Sequence, residues 1–150
     1  MQIIKDKQIT DNTWTFVADD DALSNGDISV TLTRWKKDKE RILKREGKIG
    51  IRLATSDEVA DLAEDLDKIN LIELEFPVFT DGRAFSQARL LRGRYHYQGE
   101  IRAIGGFMAD QAFYLSRVGV NAFQLDNAEA LNTALSTLND FSVHYQASSN

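Results

Sequence analysis

The chain has 150 residues, 43% hydrophobic and 27% charged, with a net charge of −5. That length suits a single domain (residues 1–150) with a real core, and the acidic balance argues against general nucleic-acid binding. No cysteine is present, which excludes disulfides, thiol nucleophiles and cysteine-held clusters or zinc; with no visible signal peptide and no membrane-length apolar run, a cytoplasmic protein is expected.

In chain order, the apolar stretches 2–5 and 13–17 predict a small antiparallel hairpin within an N-terminal hairpin-and-loop region, 1–30. Asp19-Asp20-Asp21 and Asn25-Gly26 mark solvated turns without the spacing of a calcium loop. Residues 32–46 predict a helix with Leu32, Trp35, Ile42 and Leu43 as its apolar stripe and Gly47 just past its end. A βα rhythm then fills 47–146. Strands are expected at 49–54, 71–76, 100–104 and 122–125. Helices are expected after the capping box Thr55-x-x-Glu58, at 85–95, at 107–118, and after Asp126-x-x-Glu129. A last strand is expected at 141–146.

Alternating strands and helices imply right-handed βαβ units and a parallel sheet. Strands buried on both faces read as continuous apolar runs, but these alternate. Ile49, Ile51 and Leu53 oppose Arg52; Ile72, Leu74 and Phe76 oppose Glu73 and Glu75; Ile101 and Ala103 oppose Glu100 and Arg102. One face therefore takes the helices and the other carries charge, with Arg52 paired to Glu73 or Glu75, and those to Arg102. The fold class predicted is α/β, half TIM-barrel-like, with helices mainly on one sheet face and the N-terminal hairpin added; the alternative is a flavodoxin-like three-layer sheet.

The window 81–102 holds five arginines (83, 89, 92, 94 and 102) against two acids, and no lysine follows Lys68. Arginine offers a planar donor fork suited to carboxylates and other oxyanions. Ligands of α/β sheets and barrels sit at the carboxyl ends of strands, where Asp81-Gly82-Arg83 and Gly105-Gly106 are expected, each before a helix. The candidate anion or ligand site is Asp81, Gly82, Arg83, Ser86, Arg89, Arg102, Gly105, Gly106, Asp110 and Gln111. The competing reading makes Asp81 a helix cap and pairs the arginines with Glu73, Glu75, Glu100 and Asp110. Asp81 and Asp126 lack a third carboxylate for magnesium, His96 and His144 lack ligand spacing, and no dinucleotide fingerprint is present. No metal site and no cofactor are predicted.

The segment Phe76-Pro-x-Phe-Thr-Asp-Gly-Arg-x-x-Ser-x-Ala-Arg-x-Leu-Arg92, with Gly99-Glu-x-Arg-Ala-x-Gly105 and Asp110-Gln111, resembles the bacterial DUF934 family, whose members carry the label "oxidoreductase probably involved in sulfite reduction". The resemblance runs from about Gly47 to Phe123. It implies a cytoplasmic bacterial protein tied to sulfite reduction and sulfate assimilation, with sulfite reductase or another sulfur-assimilation enzyme as partner. It supplies no catalytic residues, and this chain has Gly106 where the family pattern carries an acid. Two function classes follow. The favoured one is an accessory or binding protein, not itself an enzyme, that uses the arginine-rich edge for a small oxyanion or a protein partner. The alternative is a barrel-type oxidoreductase with a borrowed flavin or nicotinamide. A homodimer is expected, to cover the polar sheet face.

Overall fold

The computed structural model describes residues 1–76, 82–105, 107 and 109–148, from residue 140 onward as backbone alone. Its centre is one eight-stranded sheet of order β2-β1-β8-β7-β6-β5-β4-β3. The strands are β1 (Gln2–Lys5), β2 (Gln8–Asp11), β3 (Thr15–Phe16), β4 (Ile28–Thr31), β5 (Ile49–Leu53), β6 (Leu71–Phe76), β7 (Glu100–Gly105) and β8 (Ala122–Phe123). From β3 to β8 every neighbouring pair is parallel and consecutive. A flavodoxin-like sheet reverses its order at a switch point; this one does not, and the half-barrel expectation holds.

The curl follows from chain length. β2 and β3 are the two edges of the sheet, yet only residues 12–14 join them. Seven gaps of about 4.8 Å would separate the edges of a flat sheet by roughly 34 Å. Four Cα steps of 3.8 Å reach at most about 15 Å. The sheet must therefore bend until its edges approach, and the side chains of Asn12, Trp14 and Phe16 end up on its concave side.

The convex side holds the apolar core. Ile51, Leu53, Ile72, Leu74, Ile101 and Ala103 are fully buried there, beneath α1 (Leu32–Leu43), a 3₁₀ helix (Val59–Lys68), α2 (Arg83–Arg89), α3 (Ala112–Arg117) and α4 (Ala128–Ser148). Each such isoleucine or leucine side chain contributes roughly 1.5–3 kcal/mol by leaving water. The concave side carries the charge. Arg52 and Glu73 are register partners and bond at 3.1 Å, as the alternation requires, and the Phe16 ring lies 3.7 Å from the Arg52 guanidinium carbon. The indole of Trp14 fills the space left by the missing side chain of Gly50, where a Cβ would come within 3.2 Å of it.

Several local expectations are corrected. The hairpin partner of β1 is 8–11, not 13–17: its two-residue turn is Asp6-Lys7, both at positive φ, so a primed turn forms without the Asn-Gly or Asp-Gly pair that signals one. Residues 15–16 pair instead with β4, in parallel. The first helix ends at Leu43, which is exposed, and starts where Thr31 Oγ1 accepts from Arg34 N at 3.1 Å. The Thr55–Glu58 box does not form. The Asp57 carboxylate turns back to the Ala54 amide at 2.8 Å, and a 3₁₀ helix begins at Val59 with no side-chain cap. The expected helix at 85–95 starts at Arg83 as α2 and passes into a π-helical turn, Leu90–Arg94. The expected helix at 107–118 is a 3₁₀ turn (Ala109–Gln111) leading into α3. Asn127, not Asp126, caps α4, its Oδ1 accepting from Ala130 N at 2.8 Å. The proposed strand at 141–146 is part of α4, because a capped helix propagates more cheaply than a new strand can start.

Candidate functional site

The site is built on α2. Ala84, Ala88 and Leu91 recur at helical spacing and are fully buried against the sheet. That fixes the opposite face outward, so Arg83, Ser86 and Arg89 are all exposed. Arg83 opens the helix after Gly82 at the carboxyl edge of the strands, and Arg89 lies about 9 Å further along the axis.

Arg89 opens onto a cleft of about 640 Å³ on the convex side, lined by Phe85, Arg89, Arg92, Tyr114, Arg117 and Val118. One wall is α2 and the π-helical turn after it; the other is α3. Three guanidiniums and no carboxylate line it, among the described residues. Their situations differ. Arg92 is structural: its Nε donates to Gly119 O at 3.0 Å, and its Nη1 to Tyr97 O at 2.7 Å and Gly99 O at 2.8 Å. Burial lowers its pKa, with Tyr97 and Asp6 acting in the opposite sense. Gly119 permits this arrangement, since it holds φ at +104° and a Cβ there would come within 2.3 Å of the Arg92 side chain. Tyr97 is buried beneath the same loops and donates to Ile69 O at 3.1 Å; burial pushes its hydroxyl pKa up, against the pull of Arg92. Arg117 sits over the Phe113 ring, 5.8 Å from its centroid. Arg89 makes no ion pair and no hydrogen bond with any described residue.

Arg102 does not join this site. It is 1% exposed on the concave face. Its Nε and Nη2 clasp Glu100 Oε2 at 2.9 and 2.7 Å, and its Nη1 donates to Asn12 Oδ1 at 3.0 Å. Lys5 adds a second cation to Glu100 at 3.3 Å. The expected cross-strand bond from Glu73 or Glu75 to Arg102 is thus replaced by one within β7, because Glu73 is committed to Arg52. For Arg102 the structural reading of the arginines is the correct one.

The remaining candidates lie along the carboxyl edge. Gly105 ends β7 opposite Phe76. Asp110 is exposed and Gln111 half-buried, both in the 3₁₀ turn before α3. Asp81 and Gly106 lie outside the described residues. Sequence reasoning missed Phe85, Tyr114, Arg117 and Val118 as cleft residues. The available signal was Tyr114 with Arg117, three apart on a short helix; Tyr114 is 57% exposed. Among the described residues no three His, Cys, Asp or Glu side chains gather to hold a metal, and no helix is long and apolar enough to cross a membrane.

Residues 50–150 match a family model described as "Bacterial protein of unknown function (DUF934)". No curated protein matches the chain. The whole cleft, 85–118, falls inside the matched stretch, whereas Asn12 and Lys5, which complete the Arg102–Glu100 cluster, fall outside it.

Proposed function

The chain belongs to the DUF934 family, and on that premise we propose that it is a cytoplasmic accessory protein of sulfite reduction. It binds an anionic group, on sulfite reductase or another sulfur-assimilation enzyme or as a small oxyanion, through the exposed arginine face of α2. The observation that carries this reading is Arg89: a guanidinium without a counter-charge among the described residues, opening into a cleft with two more, in a chain of net charge −5. Such a fork matches carboxylate and sulfur oxyanions in geometry and charge. Reducing sulfite takes many electrons, which cofactors carry, and a chain without cysteine cannot hold a cluster by thiolates. Binding, not electron transfer, is the role that fits.

The test adds purified protein to sulfite reductase and measures both complex formation and turnover. The expected result is a salt-sensitive complex that Arg89→Glu abolishes, with no sulfite-dependent oxidation of reduced nicotinamide by the isolated chain. No complex and no effect on turnover, or robust turnover by the chain alone, would overturn the reading.

A further inference from the structure

Resting on that reading of the α2 face, we propose that the cleft between α2 and α3 takes an acidic protein segment with an apolar anchor, and not a free inorganic oxyanion. A volume of about 640 Å³ falls in the range of clefts that bury a drug-sized or peptide ligand, roughly 300–1,000 Å³. A sulfite or sulfate ion would leave most of it to water. Phe85, Val118 and the exposed ring of Tyr114 offer apolar contact, while Arg89 and Arg117 bring cations to the same cleft. Arginine and tyrosine are the residue types that dominate interface energetics, and clustered arginines are a recurring device for reading acidic motifs.

Arg92 spends its Nε and Nη1 on three backbone carbonyls, so it supplies positive field to the cleft while fixing the loops beneath it. A ligand meets a rigid floor and recruits Arg89, whose donors have no other partner among the described residues. The overall negative charge of the chain works against attracting anions elsewhere. A carboxylate of the peptide would pair with Arg89 in the positive field of the cleft, and a neighbouring aromatic or aliphatic side chain would enter beside Phe85 and Tyr114.

The test uses the full chain and a fluorescently labelled seven-residue peptide of alternating Asp and Glu around one central Phe, read by anisotropy. Controls are the Asn/Gln version, the version with Ala at the centre, and inorganic sulfite and sulfate as competitors. Saturable binding is expected to weaken at least about tenfold with Arg89→Glu, an exposed charge reversal, and several-fold with Tyr114→Ala or the central-Ala peptide. Lys37→Glu makes the same charge change outside the cleft and is expected to leave binding unchanged. Equal binding of the neutral peptide, or no loss with Arg89→Glu, overturns the proposal. If sulfite or sulfate binds in an Arg89-dependent way and the peptide does not, the anion reading of α2 stands and the peptide inference fails.

Discussion

Arg102 and Arg89 come from the same 22-residue window, and the fold gives them opposite situations. Arg102 is 1% exposed on the concave face and bonded to Glu100 and Asn12. Arg89 is on the convex face, in contact with solvent and with no partner among the described residues. An arginine-rich stretch therefore does not mark a site by composition. What separates the two is the number of satisfied donors. A buried guanidinium must have its charge met from within the chain, while an exposed one is free to meet a charge from outside.

The largest expected effect tests the concave side. Arg102→Ala leaves Glu100, itself buried, facing only Lys5. Removing one partner of a buried pair costs about 3–5 kcal/mol, and thermal or urea unfolding reads that loss. A hydrophobic replacement of the whole cluster is expected to be far milder, which would place the cost in the abandoned charge.

Arg92 sharpens the comparison because it lines the cleft yet is structural. Arg92→Ala frees the carbonyls of Tyr97, Gly99 and Gly119, with a stability loss of about 3 kcal/mol expected by denaturation. A stable Arg92→Ala protein that loses only binding would move Arg92 to the functional side.

Asp65 is a third kind of case: 7% exposed, at the junction of α1 and the 3₁₀ helix. Burial alone would raise its pKa, but hydrogen bonds from Lys39 and Trp35, with Lys68 nearby, hold it below the usual carboxylate value. A depressed folded pKa means the stabilisation is present above the unfolded pKa near 4 and is lost as pH falls through the folded value. Asp65→Asn keeps an acceptor for the Trp35 indole and removes the titration. Its stability is expected to fall less steeply than the wild type below about pH 4, as measured by urea unfolding across pH.

The main architecture was legible because the strands announce their two faces. Ile51, Leu53, Ile72 and Leu74 point to the helices and Arg52 and Glu73 away from them, and the register matches. The N-terminal part was less legible. β3 and β4 are short, and the Asp6-Lys7 turn lacks the usual residues. The Asn12–Arg102 bond spans 90 positions, and no local pattern encodes a contact of that separation. The exposed run Arg83, Ser86 and Arg89 was readable from helical spacing. The second wall of the cleft was not, because only the tertiary fold sets Tyr114 and Arg117 of α3 across from Phe85 and Arg89 of α2.

Equilibrium urea unfolding of Arg89→Glu and Arg102→Ala side by side tests this division most directly. Arg89→Glu is expected to stay within about 0.5 kcal/mol of the wild type, as an exposed substitution should, while Arg102→Ala loses about 3–5 kcal/mol. If the two variants lose stability to a similar extent, Arg89 is structural like Arg102, and the binding role of the α2 face is contradicted.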